Sequence, residues 1–371
     1  MVAGVTVFFL AGALGAGPGG RLAERVGAAA AMRACVLVTA ACLVAAAALA
    51  YSLAPLLALL FLAGLANAVS QPAINLFMAE QVPVERQGLA FGIKQSAIPA
   101  AILVSGLALP ALALPLGWRA TFVACALGPL AVAAAIRRSA QHLRPAEERT
   151  QAPRPSAALV LLAVGAALAS SGPNALGAYL VASAVDAGIE EGAAGLLAAL
   201  GSALSLLVRV VLGIRADRRR EYGFASVAVL LVAGAGGFGL LATEAAAPFV
   251  VGALLAFALG WGWPGLFNLA VVDRHREAPG AASGISQTGI YVGAAGGPAA
   301  APVVTGLRQA LARDLDTPGA LAVVDAWVDS ALAGRESDDH DPASGRVVGA
   351  AVDALAGPFA HIVVPPVDQH R

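Results

Sequence analysis

The sequence predicts an all-α fold: a polytopic membrane helical bundle of about ten spans in a six-plus-six, pseudo-two-fold arrangement, followed by a small helical soluble tail. Three observations carry this prediction. The first is composition. The 371 residues are 59% hydrophobic and 12% charged, whereas an ordinary soluble domain is roughly 25% charged. The second is an internal echo. Residues 71–96 and 263–288 align without a gap and share Pro72/Pro264, Gly88/Gly280, Ala90/Ala282, Gly92/Gly284, Ile93/Ile285 and Gln95/Gln287, with Ser96/Thr288 alike in kind. A second echo, Gly20-Arg21-Leu22-Ala23-Glu24-Arg25 against Gly213-Ile214-Arg215-Ala216-Asp217-Arg218, falls at nearly the same spacing. The third is the placement of positive charge. Of eighteen Arg and Lys before residue 299, fifteen fall in alternate connections, one (Arg119) in the others and two (Lys94 and Arg209) inside spans. The positive-inside rule puts those alternate connections in the cytoplasm. Both copies of each echo then lie at one surface, so the repeat unit holds an even number of spans, and its length suits six.

Each span is an apolar stretch long enough to cross a ~30 Å hydrocarbon core as a helix. Residues 2–19 lack the basic start of a signal peptide and match the span before Gly213, so they read as a retained helix. Residues 28–50 contain Cys35 and Cys42, and residues 119–136 contain Cys125. Cysteine inside a span behaves as a small apolar residue, and no disulfide framework or metal spacing is present. Residues 54–78 carry Asn67, Gln71 and Asn75 at i, i+4 and i+8, on one helical face. Residues 88–114 carry Lys94, the only lysine in the chain, followed by Gln95 and Ser96. The Arg/Pro-rich residues 137–156 link an N-terminal half (1–136) to a C-terminal half (157–298).

In the second half, residues 157–183 place Ser170, Ser171 and Asn174 around Gly172-Pro173, which reads as a broken helix or a packing kink. Residues 192–213 contain Arg209, and residues 224–243 carry no charged residue. Residues 246–272 bring Trp261, Trp263 and Asn268 to the counterpart of the helix with the asparagine stripe. Residues 281–298 carry Gln287, Thr288 and Tyr291. Ala, Gly and Leu dominate throughout, which suits close helix packing through small residues.

The run Gly20-Arg21-Leu22-Ala23-Glu24-Arg25-Val26-Gly27, read as a loop between the first two spans, resembles the loop signature of the major facilitator superfamily. Its second-half version is Arg209-x-x-x-Gly213-x-x-Ala216-Asp217-Arg218. The resemblance covers residues 1–298 and implies twelve helices and transport of a small solute by alternating access. Against that count the first helix is missing. The twelfth would fall near 311–328, where Arg313, Asp314, Asp316 and Asp325 are too costly for hydrocarbon depth. An acid beside Arg at a cytoplasmic helix end suits a gating contact with charges on the adjacent helix, made in one conformation and released in another, which gives Glu24/Arg25 and Asp217/Arg218 that role.

Candidate pathway residues are the polar side chains within spans: Lys94, Gln95, Ser96, Asn67, Gln71, Asn75, Asn174, Trp263, Asn268, Gln287, Thr288 and Tyr291. Lys94 reads either as an anchor for an anionic solute or as a side chain snorkelling to the headgroups. The Gln95/Gln287 and Ser96/Thr288 pairs suit either solute contact or interhelical clamps. No carboxylate lies well inside a span, no phosphate loop is present, and no cofactor or metal is expected. The expected partners are a small-molecule solute and the lipid bilayer, with no nucleic acid, in a bacterial inner membrane. Oligomeric state does not follow from the sequence.

From about Ala299 the chemistry changes, with ten acids against five Arg in residues 299–371. Apolar residues at helical spacing over 311–332 and 347–355 predict two amphipathic helices. The run Leu307-Arg308-Gln309-Ala310-Leu311-Ala312-Arg313-Asp314-Leu315-Asp316-Thr317-Pro318-Gly319-Ala320-Leu321, with Asp325-Ala326-Trp327, resembles the C-terminal region of the cysteine ligase of mycothiol biosynthesis. That family's nucleotide-binding motifs and zinc cysteines are absent, so the resemblance implies no catalysis by this chain alone. The junction at 297–302 is expected to cut the eleventh span short and to mark a gene fusion or a junction artefact. The rival readings are a ligase fragment fused to a membrane bundle and an inactive transporter remnant.

Overall fold

The computed structural model describes residues 2–108, 112–139, 156–219, 223–243 and 245–312. The chain divides into two units, Met1–Ala301 and Pro302–Arg371. The expected tail helices fall almost wholly on residues 313–371, and most of the linker on 140–155, outside the described residues.

Helices occupy each of the ten predicted places, and no strand occurs among the described residues. The first half comprises α1 (Val2–Val26), α2 (Ala28–Leu49), α3 (Leu53–Gln81), α4 (Gln87–Ala108) and α5 (Leu114–Ser139). The second comprises α6 (Ala157–Asp186), α7 (Glu191–Arg219), α8 (Phe224–Leu241), α9 (Ala246–Leu255), α10 (Pro264–Arg274) and α11 (Pro279–Ala312). The ninth span is α9 and α10 together, joined by a π-helical turn at Ala256–Gly260. Pro264 starts α10, where its missing N–H is not needed.

Eight described helical segments are long and apolar enough to cross a membrane. The helices α4 and α11 are the repeat-related pair that carry Lys94–Ser96 and Ser286–Thr288. Outward-facing side chains agree with a lipid surround: Leu161 is 71% and Val232 75% exposed, a surface that would be unstable in water.

Three expectations change. The Gly20–Arg25 and Gly213–Arg218 motifs are the last turns of α1 and α7 rather than loops. Nothing in either run breaks a helix, and α1 stops only at Gly27, whose φ of 86° and ψ of 146° suit glycine. The Gly172-Pro173 site lies inside a continuous α6 and is not a broken helix. Asn174 Nδ2 donates to the Ser170 carbonyl at 2.8 Å and Ser170 Oγ to the Ala166 carbonyl at 2.7 Å, which ties polar side chains to the backbone around the proline. Finally, α11 is not cut short at 297–302: its helix continues to Ala312, although Pro302, Val303, Val304, Thr305 and Gly306 are poor helix formers.

Within the second half, α11 lies directly on α6. A Cβ built on Gly289, Gly293 or Gly297 would meet the carbonyl oxygens of Ala163, Ala167 and Ser171 at 1.9, 2.0 and 2.1 Å. Gly296, one residue from Gly297, has nothing within 4 Å among the described residues. Replacing Gly293 by Ala should lower stability by about 1–3 kcal/mol through overpacking. Gly296→Ala should be neutral or stabilising, by up to about 1 kcal/mol. Thermal melting of the two variants in detergent checks this contrast, and equal melting would refute the α6–α11 contact.

Candidate functional site between the halves

The two halves meet through repeat-related helices, α1 on α11 and α7 on α4. Glycine allows backbone-to-backbone approach at both crossings. A Cβ on Gly20 would lie 2.3 Å from the Gly280 carbonyl, and one on Gly213 would lie 2.4 Å from that of Gly88. Gly284 and Gly92 repeat the pattern one turn further in, against the carbonyls of Ala16 and Arg209.

This closeness brings each motif acid to the start of the opposing helix. Glu24 Oε1 accepts from the N–H groups of Gly280 and Ala281 at 2.8 and 3.1 Å. Asp217 accepts from Gly88 N–H at 2.6 Å and Leu89 N–H at 2.8 Å. The first N–H groups of a helix have no partner within it, and its dipole favours negative charge there. The expected contact with charges on a neighbouring helix is thus, in the described bonds, a pair of carboxylate caps across the halves. Arg21, Arg25 and Arg218 are exposed beside them.

Deeper in, Arg209 is 1% exposed. Its Nε and Nη2 donate to the Trp261 carbonyl at 3.0 and 2.6 Å, and Nη1 donates to the Gln95 carbonyl. Its guanidinium also lies 5.7 Å from the Trp261 ring centroid. The π turn ending at Gly260 presents the Trp261 carbonyl, so Arg209 binds α7, α4 and the break in the ninth span together. The sequence marked Arg209 but not these carbonyl partners, because a backbone acceptor leaves no trace in residue type.

The asparagine stripe of α3 faces the second half. Asn67 Nδ2 donates to Tyr291 Oη at 2.8 Å, and Asn75 Nδ2 to Asn268 Oδ1 at 3.2 Å. Asn268 in turn donates to the Pro264 carbonyl at 2.8 Å. Lys94 Nζ donates to Asn75 Oδ1 at 2.8 Å; it turns towards this cluster rather than snorkelling. Tyr291 Oη in turn donates to the Asn67 carbonyl at 3.3 Å, while Oε1 of Gln287 and of Gln71 are buried without a partner among the described residues.

Other candidates make backbone bonds or apolar packing contacts, some within their helix and some across helices. Ser96 Oγ donates to the Gly92 carbonyl at 2.8 Å and the Leu206 carbonyl at 3.3 Å, and Thr288 Oγ1 to the Gly284 carbonyl at 3.1 Å. Trp263 is 1% exposed in an apolar cluster with Phe91 and Phe267. Asn174 belongs to the α6 network. Among the described residues no group of three or more His, Cys, Asp or Glu is placed to hold a metal ion.

Comparison with known proteins agrees with this architecture. The family model of the Major Facilitator Superfamily matches residues 3–298. The fold is similar to that of the human organic anion transporter MFSD10 (TETRAN), with a TM-score of 0.66 at 16% identity over 88% of this chain and 80% of that one. It is also similar to the proton:xylose symporter XylE bound to 6-bromo-6-deoxy-D-glucose, with a TM-score of 0.61 at 14% identity over 89% and 83%. A short stretch is similar to L-cysteine:1D-myo-inositol 2-amino-2-deoxy-alpha-D-glucopyranoside ligases. That of Beutenbergia cavernae is 59% identical over 61 residues, 16% of this chain. That of Cellulomonas flavigena is 61% identical over 62 residues, 17% of this chain. The chain spans only 14% of the length of either ligase.

The Arg209 clamp gives a test of the site's framework. Lysine keeps the charge but cannot fork onto two carbonyls, so Arg209→Lys should cost about 2 kcal/mol or more. Arg119→Lys, at an exposed residue bonded to the Ala47 carbonyl, should change stability by only about 0.5 kcal/mol. Melting temperatures of the two variants report the difference.

Proposed function

The chain belongs to the major facilitator superfamily, and from that membership we propose that it moves a small solute across a bacterial inner membrane as a secondary transporter, its halves (1–136 and 157–298) rocking about a central site. The observation that carries this reading is the reciprocal pair of caps, Glu24 on α11 and Asp217 on α4. The positive-inside rule puts this end in the cytoplasm. With both caps made, the halves are held together there and the centre is reached from the opposite face. Opening the cytoplasmic side requires each carboxylate to leave its helix start, where water takes over both groups. Arg21, Arg25 and Arg218 stand ready to receive the released acids. Residues 137–156 tether the halves through this cycle.

A second reading concerns the tail. The 61-residue ligase match fits within residues 299–371, and the sequence resemblance over 307–327 favours that placement. On this reading the tail descends from a ligase C-terminus and carries no adenylating machinery. Long reads across the genomic locus and its transcript should show one continuous frame through codons 297–302. A discontinuity there would remove the tail from the transporter.

The gate is tested through Ala281→Cys, at a residue 2% exposed behind the Glu24 cap. Glu24→Gln and Asp217→Asn replace a charge-assisted contact by a neutral one, a loss of about 1 kcal/mol. Each should speed maleimide labelling at position 281 about fivefold and change solute exchange in proteoliposomes. Labelling that is indifferent to both variants would refute the gating role.

A further inference from the structure

We infer that the solute, on the transporter reading above, is a small organic anion that also carries a hydrogen-bond donor, with its anionic group held by Lys94. Among the described residues, Lys94 and Arg209 are cations set away from the ends of their helices, and their surroundings differ. Arg209 spreads three donor nitrogens over two carbonyls and is sealed from solvent. Lys94 has three N–H donors and one described partner, the amide oxygen of Asn75. Asn75 is itself held by Asn268, and both are wholly buried. Among the described residues no carboxylate pairs with Lys94, and the described acids of these helices lie at or near their ends.

An ammonium at this depth beside a neutral amide is expensive, and the expense falls when an anion arrives with its charge. Lys94 is also less enclosed than Arg209, keeping partial exposure, and the repeat does not require it, since its counterpart is Ser286. A purely structural clamp would be served by another asparagine. The Asn75–Asn268 bond crosses the halves, so an anion on Lys94 is held beside the contact between the moving bodies.

The donor requirement follows from two orphaned acceptors. Gln71 Oε1 lies on the α3 face between Asn67 and Asn75, one turn from each, and is buried without a partner. Gln287, 5% exposed and one turn before Tyr291, leaves its Oε1 equally unmatched. Buried acceptors of this kind are stabilised by a donor. A carboxylate seated on Lys94 with a neighbouring hydroxyl supplies one, which makes α-hydroxycarboxylates the fitting chemical class.

The single lysine makes the test direct. Reductive methylation with formaldehyde and cyanoborohydride modifies Lys94 alone among the side-chain amines, and mass spectrometry reads it against the N-terminal amine. The full chain in proteoliposomes is treated with glycolate, lactate and mandelate, or with glycolamide, lactamide and mandelamide. The carboxylates should slow Lys94 methylation about tenfold, the size of effect one charge-assisted hydrogen bond supplies, and the amides should leave it unchanged. Equal protection by both sets, or by neither, overturns the anion assignment. Counterflow of the same solutes separates this outcome from failure of the transporter reading. Lys94→Arg should keep the preference for carboxylates, and Lys94→Gln should lose it. A carboxylate preference in counterflow that survives in Lys94→Gln leaves transport standing and removes the assignment of the anion to Lys94. Absence of counterflow for both sets, with Lys94 unprotected, removes both readings.

Discussion

The structure depends on backbone meeting backbone at the two crossings between halves. In lipid the hydrophobic effect does not drive helices together, so association rests on close packing and on polar contacts. Gly20 on Gly280 and Gly213 on Gly88 provide the packing. They also set the distance at which a short carboxylate reaches a helix start in the other half. A side chain larger than hydrogen at any of these positions would push the helices apart and leave Glu24 or Asp217 short of the N–H groups it caps. Packing and electrostatics are therefore one device here, and the repeat builds it twice.

That device differs in kind from the contacts deeper in the protein. A carboxylate leaving a helix start near the membrane surface is met by water, as are the N–H groups it leaves, so the exchange costs little. Arg209 has no such alternative. Its guanidinium lies away from solvent and takes carbonyls from α4 and from the broken ninth span. Pulling it free would strand a charge and its acceptors where nothing replaces them. On the proposed rocking reading, contacts at the ends open and close, while those around Arg209 tie α7 and α4 together deeper in. A bundle that rocks needs both kinds, the reversible ones far from the pivot and the permanent ones near it.

Much of this was legible in the sequence because duplication wrote it twice. The echoes located α1, α4, α7 and α11, and the motif acids within them, since a pattern that recurs in both halves stands out from the surrounding Ala and Leu. The i, i+4, i+8 stripe identified the face of α3 that turns to the second half. What misled was local chemistry without geometry. Charged residues at 20–25 and 213–218 suggested loops, yet a helix that outruns the hydrocarbon keeps its form in the interface. Ser96 and Thr288 matched across the repeat, and each hydroxyl bonds its own i−4 carbonyl, while Ser96 also reaches the Leu206 carbonyl of α7. The partners of Arg209 were invisible because they are backbone atoms.

The contrast between the two intramembrane cations bears on how such a chain tolerates charge. Burying a cation is sustainable when carbonyls surround it, as at Arg209, or when a mobile counter-charge visits it. Asn75 gives Lys94 a defined position without neutralising it, and Asn75 is also a bridge to α10 in the other half. On the anion proposal, a side chain fixed by the inter-half contact but short of compensation links occupancy to conformation, since an anion would change the electrostatic cost of keeping Asn75, Asn268 and Lys94 together. A ligand can shift a two-state equilibrium only through such a difference between the states. On the proposed reading, coupling between solute and gate needs no long-range wire, because the helices that carry Lys94 and Gln287, α4 and α11, begin at the residues that Asp217 and Glu24 cap.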